Sequence, residues 1–273
     1  MKKLINRQPN LYGRWLLGLL PFVLLLMVYI GASNARLAEN PNDPLLPSLA
    51  YMAESVSQIA FEPSRRTGEY LMLNDTLASL QRLGIGVGIA ALTGLIFGIG
   101  TGSIPYVRAT LSPLITGISL VPPMAILPIL FILFGLDELA KVMLIIVGIT
   151  PFIIRDLQQR TLEIPEEQII KMQTLGANSW QIIMRLIWPQ IMPRLLSAVR
   201  LALGSAWLFL IAAEAIAATE GLGYRIFLVR RYLSMDVILP YVVWITFLAF
   251  LIDFALRRYS QWRYPWFHAS GNS

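Results

Sequence analysis

Six long runs of apolar residues, each with few or no charges, constrain the fold of this chain most. A helix that crosses the hydrocarbon core of a bilayer needs about 20 predominantly apolar residues. Because 56% of the 273 residues are hydrophobic and only 14% are charged, an ordinary soluble domain is excluded. The chain is predicted to be an all-α, polytopic membrane protein with about six transmembrane helices. The runs cover residues 15–32, 83–107, 109–136, 139–154, 201–219 and 237–256.

The third and fourth runs are predicted to form irregular spans. Residues 109–136 contain four prolines, and a proline inside a helix removes a hydrogen bond and clashes with the preceding turn. This span should be kinked or broken, with neighbouring helices satisfying the freed backbone groups. The fourth run is short because Lys141 leaves only residues 142–154, so its helix is expected to begin near Asp137.

The distribution of lysine and arginine predicts the orientation, since cytoplasmic loops retain these residues. Residues 1–14 and 257–273 are predicted to be cytoplasmic and to flank a transmembrane domain of residues 15–256. Within that domain, residues 33–75 should be periplasmic and residues 155–195 should form a cytoplasmic loop. The supporting residues are Lys2, Lys3, Arg7, Arg14, Arg155, Arg160, Lys171, Arg185, Arg194, Arg257, Arg258 and Arg263; Arg225, Arg230 and Arg231 oppose the assignment.

Residues 1–35 also fit a secretory signal peptide, with a basic start, an apolar core and small residues at Ala32 and Ala35. Its removal would leave five spans and a mismatched charge pattern, so we favour a retained helix. In the segment that follows, residues 48–59 are predicted to form a short helix. Asn74, Asp75 and Thr76 offer side chains that could cap the start of the next helix.

Chemistry within the chain is limited by what the sequence lacks. It has no cysteine and one histidine, His268, which excludes disulfides, cysteine metal sites and a multi-histidine metal site. It contains no G-x-x-x-x-G-K-[ST] phosphate loop, so we expect no ATP hydrolysis here. The net charge of +6 is dispersed along membrane flanks, and we expect no nucleic-acid partner. The alternative is a polytopic enzyme. Detectable turnover of a substrate by the purified chain, without an ATPase partner, would support it.

Several residues inside the predicted spans also call for an interpretation. The second span is rich in glycine at residues 84–102, which favours close packing against neighbouring helices. Glu214 lies in the fifth span, where a charge costs about 2.5 to 3.5 kcal/mol; it is either a gate residue or part of a helix–helix hydrogen bond. Arg82 is hypothesised to attract an anion, and Asp253 is predicted to pair with Arg257 four residues later.

The polar segment between the fourth and fifth runs has strong local signals. Pro165 is predicted to start a helix, Gly176 to take a left-handed conformation, and Asn178 with Gln181 to form a capping box. In the following helix Trp180, Ile183, Met184 and Ile187 have the spacing of one apolar face. That face would lie either on the membrane or bundle surface, or in a groove of another protein.

These segments resemble the membrane subunits of binding-protein-dependent ABC importers. The cytoplasmic loop of that family has the pattern Glu-Ala-Ala, three residues, glycine, then an apolar helix ending in proline, matched here by Gly176 and Pro189; Ile170, Lys171 and Met172 replace Glu-Ala-Ala. Four further segments are similar to the nitrate, sulfonate, taurine and bicarbonate branch and cover most of residues 77–253. They are VPPMAILPILFILFGLDE, TLGANSWQ, VRLALGSAWLFLIAAE and EGLGYRI.

The resemblance implies a permease of the bacterial inner membrane that forms the pathway for a small oxyanion. The implied partners are a second permease copy in a homodimer, two ABC ATPase subunits, an extracytoplasmic binding protein and the lipid bilayer. ATP and Mg would be bound by the ATPase, with no cofactor on this chain; a secondary transporter or channel is the alternative. The implied ATPase-coupling residues are Gly176, Ala177, Asn178, Trp180, Ile183, Met184, Ile187 and Pro189. Candidate pathway or gate residues are Arg82, Met124 and Glu214.

Overall fold

The computed structural model describes residues 10–41, 43–64 and 68–269, and the regular structure in these residues is helical. Lys2, Lys3 and Arg7, which support the predicted orientation, lie outside the described residues. The helices are α1 (Leu11–Glu39), α2 (Leu49–Phe61), α3 (Leu71–Ser103), α4 (Pro105–Ser119), α5 (Pro123–Phe134), α6 (Glu138–Leu162), α7 (Glu166–Thr174), α8 (Ser179–Ile182), α9 (Trp188–Ala217), α10 (Leu222–Val229), α11 (Met235–Arg263) and α12 (Pro265–Ala269). A π-helical turn, Ile183–Ile187, joins α8 to α9, and a 3-10 turn, Arg230–Tyr232, follows α10.

The chain forms two compact units. The first contains Met1–Tyr70 and Val229–Pro240, and the second contains Leu71–Leu228 and Tyr241–Ser273. In the first unit, Ser48 caps α2 by accepting a hydrogen bond from the Tyr51 amide at 3.2 Å. The short helix predicted in residues 48–59 is therefore confirmed. The Tyr29 hydroxyl of α1 donates to the Pro47 carbonyl at 2.7 Å and fixes the connection that precedes α2.

The helices long and apolar enough to cross a membrane agree with the predicted count of about six. Among the described residues, four such helices are continuous, namely α1, α3, the combined helix Ser179–Ala217, and α11. The pair α4 and α5 supplies a fifth span if counted together. Helix α6 has 25 residues, which is long enough to cross, although it carries charges at both ends of its apolar stretch.

The predicted break in the third span is confirmed. Helices α4 and α5 meet at an angle of 96°. Proline disfavours the helical conformation in the residue before it, and Pro122, which precedes Pro123, has extended dihedral angles of −63° and 119°. The consecutive prolines therefore end one helix and start another.

Close packing by the glycine-rich helix α3 is also confirmed. A Cβ atom on Gly94 would lie 2.4 Å from Ile153 of α6, and one on Gly102 would lie 2.4 Å from Thr161. Glycine is thus required where α3 and α6 touch. The glycines at positions 84 and 88 lie on another face, where an added Cβ would meet nothing within 4 Å.

Two local predictions are wrong, because tertiary partners replace the local ones. Asp75 does not lie at a helix start: α3 begins at Leu71, and the Asp75 carboxylate is buried inside it, where it accepts from Arg225 at 2.7 Å. Asp253 forms its ion pair with Arg200 of α9, at 2.8 and 2.9 Å, instead of the predicted pair with Arg257. In both cases a helix distant in sequence supplies the charge.

Candidate functional site

The polar loop of residues 155–195, here called the coupling loop, contains the predicted hinge. Helix α7 ends at Thr174, and Gly176 has a φ of +77°, so the predicted left-handed conformation is confirmed. The Gly176 amide donates to the Gln173 carbonyl at 2.9 Å, and the Ala177 amide donates to the Met172 carbonyl at 3.0 Å. These bonds satisfy carbonyls at the end of α7, as a glycine in this position commonly does.

The capping box that starts α8 is confirmed as well. The Gln181 amide donates to Asn178 Oδ1 at 2.8 Å, and the Asn178 amide donates to Gln181 Oε1 at 2.9 Å. Gln190 of α9 also donates to Gln168 of α7 at 2.9 Å. The hinge is thus held by local bonds on both sides and by one side-chain bond between its flanking helices.

The single apolar face predicted after Asn178 is divided in the structure. Ile187 is buried, but Trp180 and Met184 are exposed and Ile183 is half-buried. The π-helical turn Ile183–Ile187 is the reason, because hydrogen bonds from i to i+5 change the helical phase. Pro189 falls in the first turn of α9, just after this irregularity.

The coupling loop leaves a group of large apolar side chains facing outward, which we call the loop surface. Leu175 is 82% exposed and Trp180 is 67% exposed, and both lie within four residues of Gly176. We define the loop surface as Ile170, Leu175, Trp180 and Met184. Ile170 stands in the Glu-Ala-Ala position of the family pattern. At the start of the loop, Arg160 donates to Glu163 at 3.1 Å and lowers the pKa of that exposed carboxyl.

Arg82, a candidate pathway residue, lies in a buried ion cluster at the other end of α6. Its Nη1 donates to Glu214 at 2.8 Å and to the Glu220 carbonyl at 2.9 Å, while Nη2 donates to Glu138 at 2.8 Å. Its Nε also donates to Glu138. Because all three guanidinium nitrogens have acceptors, this placement does not support the hypothesis that Arg82 attracts a transported anion.

Glu214, a second candidate, is buried and takes part in helix–helix hydrogen bonds. Ser79 of α3 donates to it at 2.8 Å, and the Gly223 amide donates at 2.8 Å. Gly221 has a φ of +123°, and a Cβ on it would lie 2.6 Å from the Glu214 carboxyl carbon. This geometry supports the structural alternative, in which Glu214 holds the segment after α9 against α3.

The ion pair between Asp75 and Arg225 is not predicted by any local pattern in the sequence. Arg225 opposed the predicted orientation when it was counted as an outer-loop cation. Its Nε donates to Asp75 at 2.7 Å, and the Gly221 amide and the Tyr241 hydroxyl also donate to this carboxylate, at 2.9 and 3.2 Å. The two residues are 150 positions apart, so no local spacing signals the pair.

Met124, the third candidate, lies in the first turn of α5 beside the break in the third span. It is 40% exposed. The preceding residue, Pro123, forms part of the wall of a cavity of about 430 Å³ between the break and α6. Arg155 also lines this cavity, although sequence analysis assigned that arginine only to the coupling loop.

The comparisons with known proteins agree with this architecture. Residues 90–264 match the binding-protein-dependent transport system inner membrane component family. The taurine transport system permease protein of Escherichia coli (strain K12) is 35% identical over 189 residues, which are 69% of each chain. The bicarbonate transport system permease protein of Synechococcus elongatus is 25% identical over 256 residues, covering 92% of this chain and 87% of the relative.

A solved structure shares the fold. A chain of the MetNI methionine ABC transporter, in an inward facing conformation, superimposes with a TM-score of 0.63 at 22% identity, covering 72% of this chain and 98% of that one. The family match and the taurine permease relative confirm the resemblance. This chain belongs to the binding-protein-dependent transport system inner membrane component family and is the permease component of an ABC importer.

Proposed function

We propose that this permease imports a small oxyanion across the bacterial inner membrane and is driven by a separate ATPase that docks on the coupling loop. The observation that carries the docking proposal is the loop surface. Its large apolar side chains lie on α7, beside the hinge, and at the start of the combined helix Ser179–Ala217. Such a surface in water requires a cover.

A partner groove is a better cover than the membrane surface for this loop. Helix α7 carries Glu166 and Glu167 in its first turn and Lys171 in its last, so it lacks the broad apolar face of a membrane-surface helix. Trp180 and Leu175 project on either side of a left-handed glycine that local hydrogen bonds hold in place. A rigid helix presenting an aromatic anchor is typical of helix-in-groove recognition.

The energy source is proposed to lie in the partner. ATP and Mg are expected on two ATPase subunits, since this chain contains no phosphate-loop motif. A second copy of the permease would complete the pathway as a homodimer, and an extracytoplasmic binding protein would deliver the substrate. In this arrangement residues 1–14, 155–195 and 257–273 are cytoplasmic and residues 33–75 are periplasmic.

The oxyanion class is supported by the relatives, whose names specify taurine and bicarbonate transport. Taurine carries a sulfonate and bicarbonate is itself an oxyanion, so the shared chemistry is a small group in which several oxygens share one negative charge.

Co-purification tests the proposal directly. The tagged chain is extracted from native membranes in mild detergent, its partners are identified by mass spectrometry, and ATP hydrolysis is assayed. We expect an ATPase subunit at a one-to-one ratio with the permease. A lone chain without ATPase activity, still monodisperse and able to move substrate in liposomes, would contradict the proposal that a separate ATPase drives import.

A further inference from the structure

A cavity lies beside the break between α4 and α5, and no residue of the buried ion pairs lines it. Its volume is about 430 Å³, and its walls come from the end of α4, the start of α5 and the middle of α6. Apolar and small residues form most of the wall, including Pro123, Gly148 and Phe152. We call this space the break cavity.

Arg155 places its guanidinium in the break cavity and away from the end of α6. Side chains on a helix lean toward its N-terminus, which for α6 is the direction of Gly148. Arg155 Nη1 donates to Ser119 Oγ at 2.9 Å. Ser119 is the last residue of α4 and lies about 21 Å along that helix from Pro105. The cation is therefore far from the turn that joins α3 to α4.

Among the described residues, no carboxylate forms an ion pair with Arg155, in contrast to three other arginines of the bundle. Arg82, Arg200 and Arg225 each form an ion pair, whereas Arg155 has none among the residues that the structure describes. Asp156 also lines the cavity, but its carboxylate lies 3.6 Å from Arg160. Arg155 is thus available to an anion from outside the chain.

Arg155 is the first residue of the coupling loop and its side chain is exposed, so the cation lies at the inner end of the fourth span. Cationic side chains that line water-filled cavities in membrane proteins commonly mark ion or substrate pathways. The 12-residue helix α5 begins at Pro123, in the cavity wall, and its N-terminus adds a partial positive charge there. Arg155 and this helix end therefore favour the same sign of ligand.

We propose that the break cavity is an oxyanion-binding station on the transport path. Arg155 contacts the anion, and Ser119 positions the Arg155 guanidinium. The ligand is a sulfonate, carbonate or nitrate type of group. The assignment of that anion as transported cargo rests on the proposed function. The anion preference of the cavity itself rests only on the geometry of this chain.

The absence of native cysteine permits a direct test of the cavity. In the assembled complex, Ser119→Cys is treated with an anionic sulfonatoethyl methanethiosulfonate and with its cationic trimethylammonium counterpart. The matched control is Thr110→Cys, because Thr110 is exposed on the same helix and does not line the cavity. We expect the anionic reagent to react faster at position 119 and not at position 110.

Removing the charge should abolish this preference. Arg155→Gln in the Ser119→Cys background should lower the ratio of anionic to cationic rates by about fivefold, since one unit charge near the reacting thiol is lost. Arg155→Lys should retain the preference, and free taurine should slow the anionic reagent. A thiol at position 119 that neither reagent reaches, or a ratio that Arg155→Gln leaves unchanged, would overturn the proposal.

A phospholipid phosphate has the same oxyanion chemistry as a free anion. Varying the lipid composition of the bilayer distinguishes a bound headgroup from a free anion. The labelling is repeated in nanodiscs of phosphatidylcholine alone and with phosphatidylglycerol added. A free-anion station predicts the same rate at position 119, relative to position 110, in the two bilayers and protection by taurine, because the surface potential of the anionic lipid acts on both positions. Protection by phosphatidylglycerol without protection by taurine would identify a lipid headgroup site and overturn the proposal.

Transport distinguishes this inference from the function on which it rests. In liposomes containing the full complex with its binding protein, uptake of labelled taurine and bicarbonate should fall at least about tenfold in Arg155→Gln, while the control Arg258→Gln transports normally. Normal uptake by Arg155→Gln would overturn the transport role. If the native complex imports neither probe but the anion preference at position 119 persists, the proposed substrate class is wrong, whereas the assignment of the break cavity as an anion site is retained.

Discussion

Arg82 of α3 and Glu214 of α9 form an ion pair of 2.8 Å inside the bundle, and their side chains are only 4% and 0% exposed. Both side chains of this pair have further hydrogen-bond partners. Glu138 shares the same guanidinium, and the Gly223 amide shares the same carboxylate. One cluster therefore joins α3, α6, α9 and the segment that follows α9.

Replacing Glu214 with alanine should destabilise the protein strongly. The change leaves part of a buried arginine unpaired, and breaking a buried pair on one side costs about 3 kcal/mol or more. Thermal unfolding of the detergent-purified chain, followed by size-exclusion chromatography, measures the effect. Glu163→Ala is the control because its partner Arg160 is at the surface, and it should change little. Equal losses for the two variants would show that burial of the pair does not matter.

The contact between α3 and α6 should distinguish two glycines of the same helix. Gly94→Ala places a methyl group against Ile153 and should destabilise the protein by about 1 to 3 kcal/mol, the usual cost of overpacking. Gly88→Ala meets open space and should be neutral or stabilising by up to about 1 kcal/mol through helix propensity. Thermal stability of both variants checks this, and a stable Gly94→Ala would argue against the close packing.

The hinge at Gly176 should tolerate only residues that accept a positive φ. Gly176→Pro fixes φ near −65°, which is incompatible with +77°, and should abolish ATP-coupled uptake while the chain still inserts. Gly176→Asn should keep most of the coupling, because asparagine accepts the left-handed conformation. Uptake in liposomes, with membrane fractionation for insertion, measures both. Coupling preserved in the proline variant would refute the docking proposal.

Trp180 should be the energetic anchor of the proposed docking contact. Trp180→Ala is expected to weaken ATPase binding by about 2 kcal/mol, or roughly 30-fold, as for an aromatic residue at the centre of an interface. Trp262→Ala is the control, since Trp262 is 76% exposed on α11, outside the coupling loop. Affinity for the purified ATPase subunit is the measurement. If Trp180→Ala and Trp262→Ala bind the ATPase subunit with equal affinity, the loop surface is not the docking site.

Local features could be predicted from the sequence because neighbouring residues decide them. The capping box of Asn178, the left-handed Gly176 and the break at Pro122 each depend on one or two adjacent residues. The apolar face after Asn178 was also judged locally, but the π-helical turn shifted its phase. Packing around that turn buries Ile187 and leaves Trp180 exposed, and a regular helical period does not anticipate such a turn.

The sequence by itself determined that the chain is a helical membrane protein, which of its predicted spans breaks and which loop carries the hinge. These properties follow from the length of apolar runs and from short-range backbone preferences. Only the tertiary structure decided which charges meet. Asp75 pairs with Arg225 and Asp253 with Arg200, while Arg155 is left facing a cavity. Helix packing brings together residues far apart in the chain. Because a buried charge is costly unless it is paired, each one forms an ion pair with the partner that this packing places beside it.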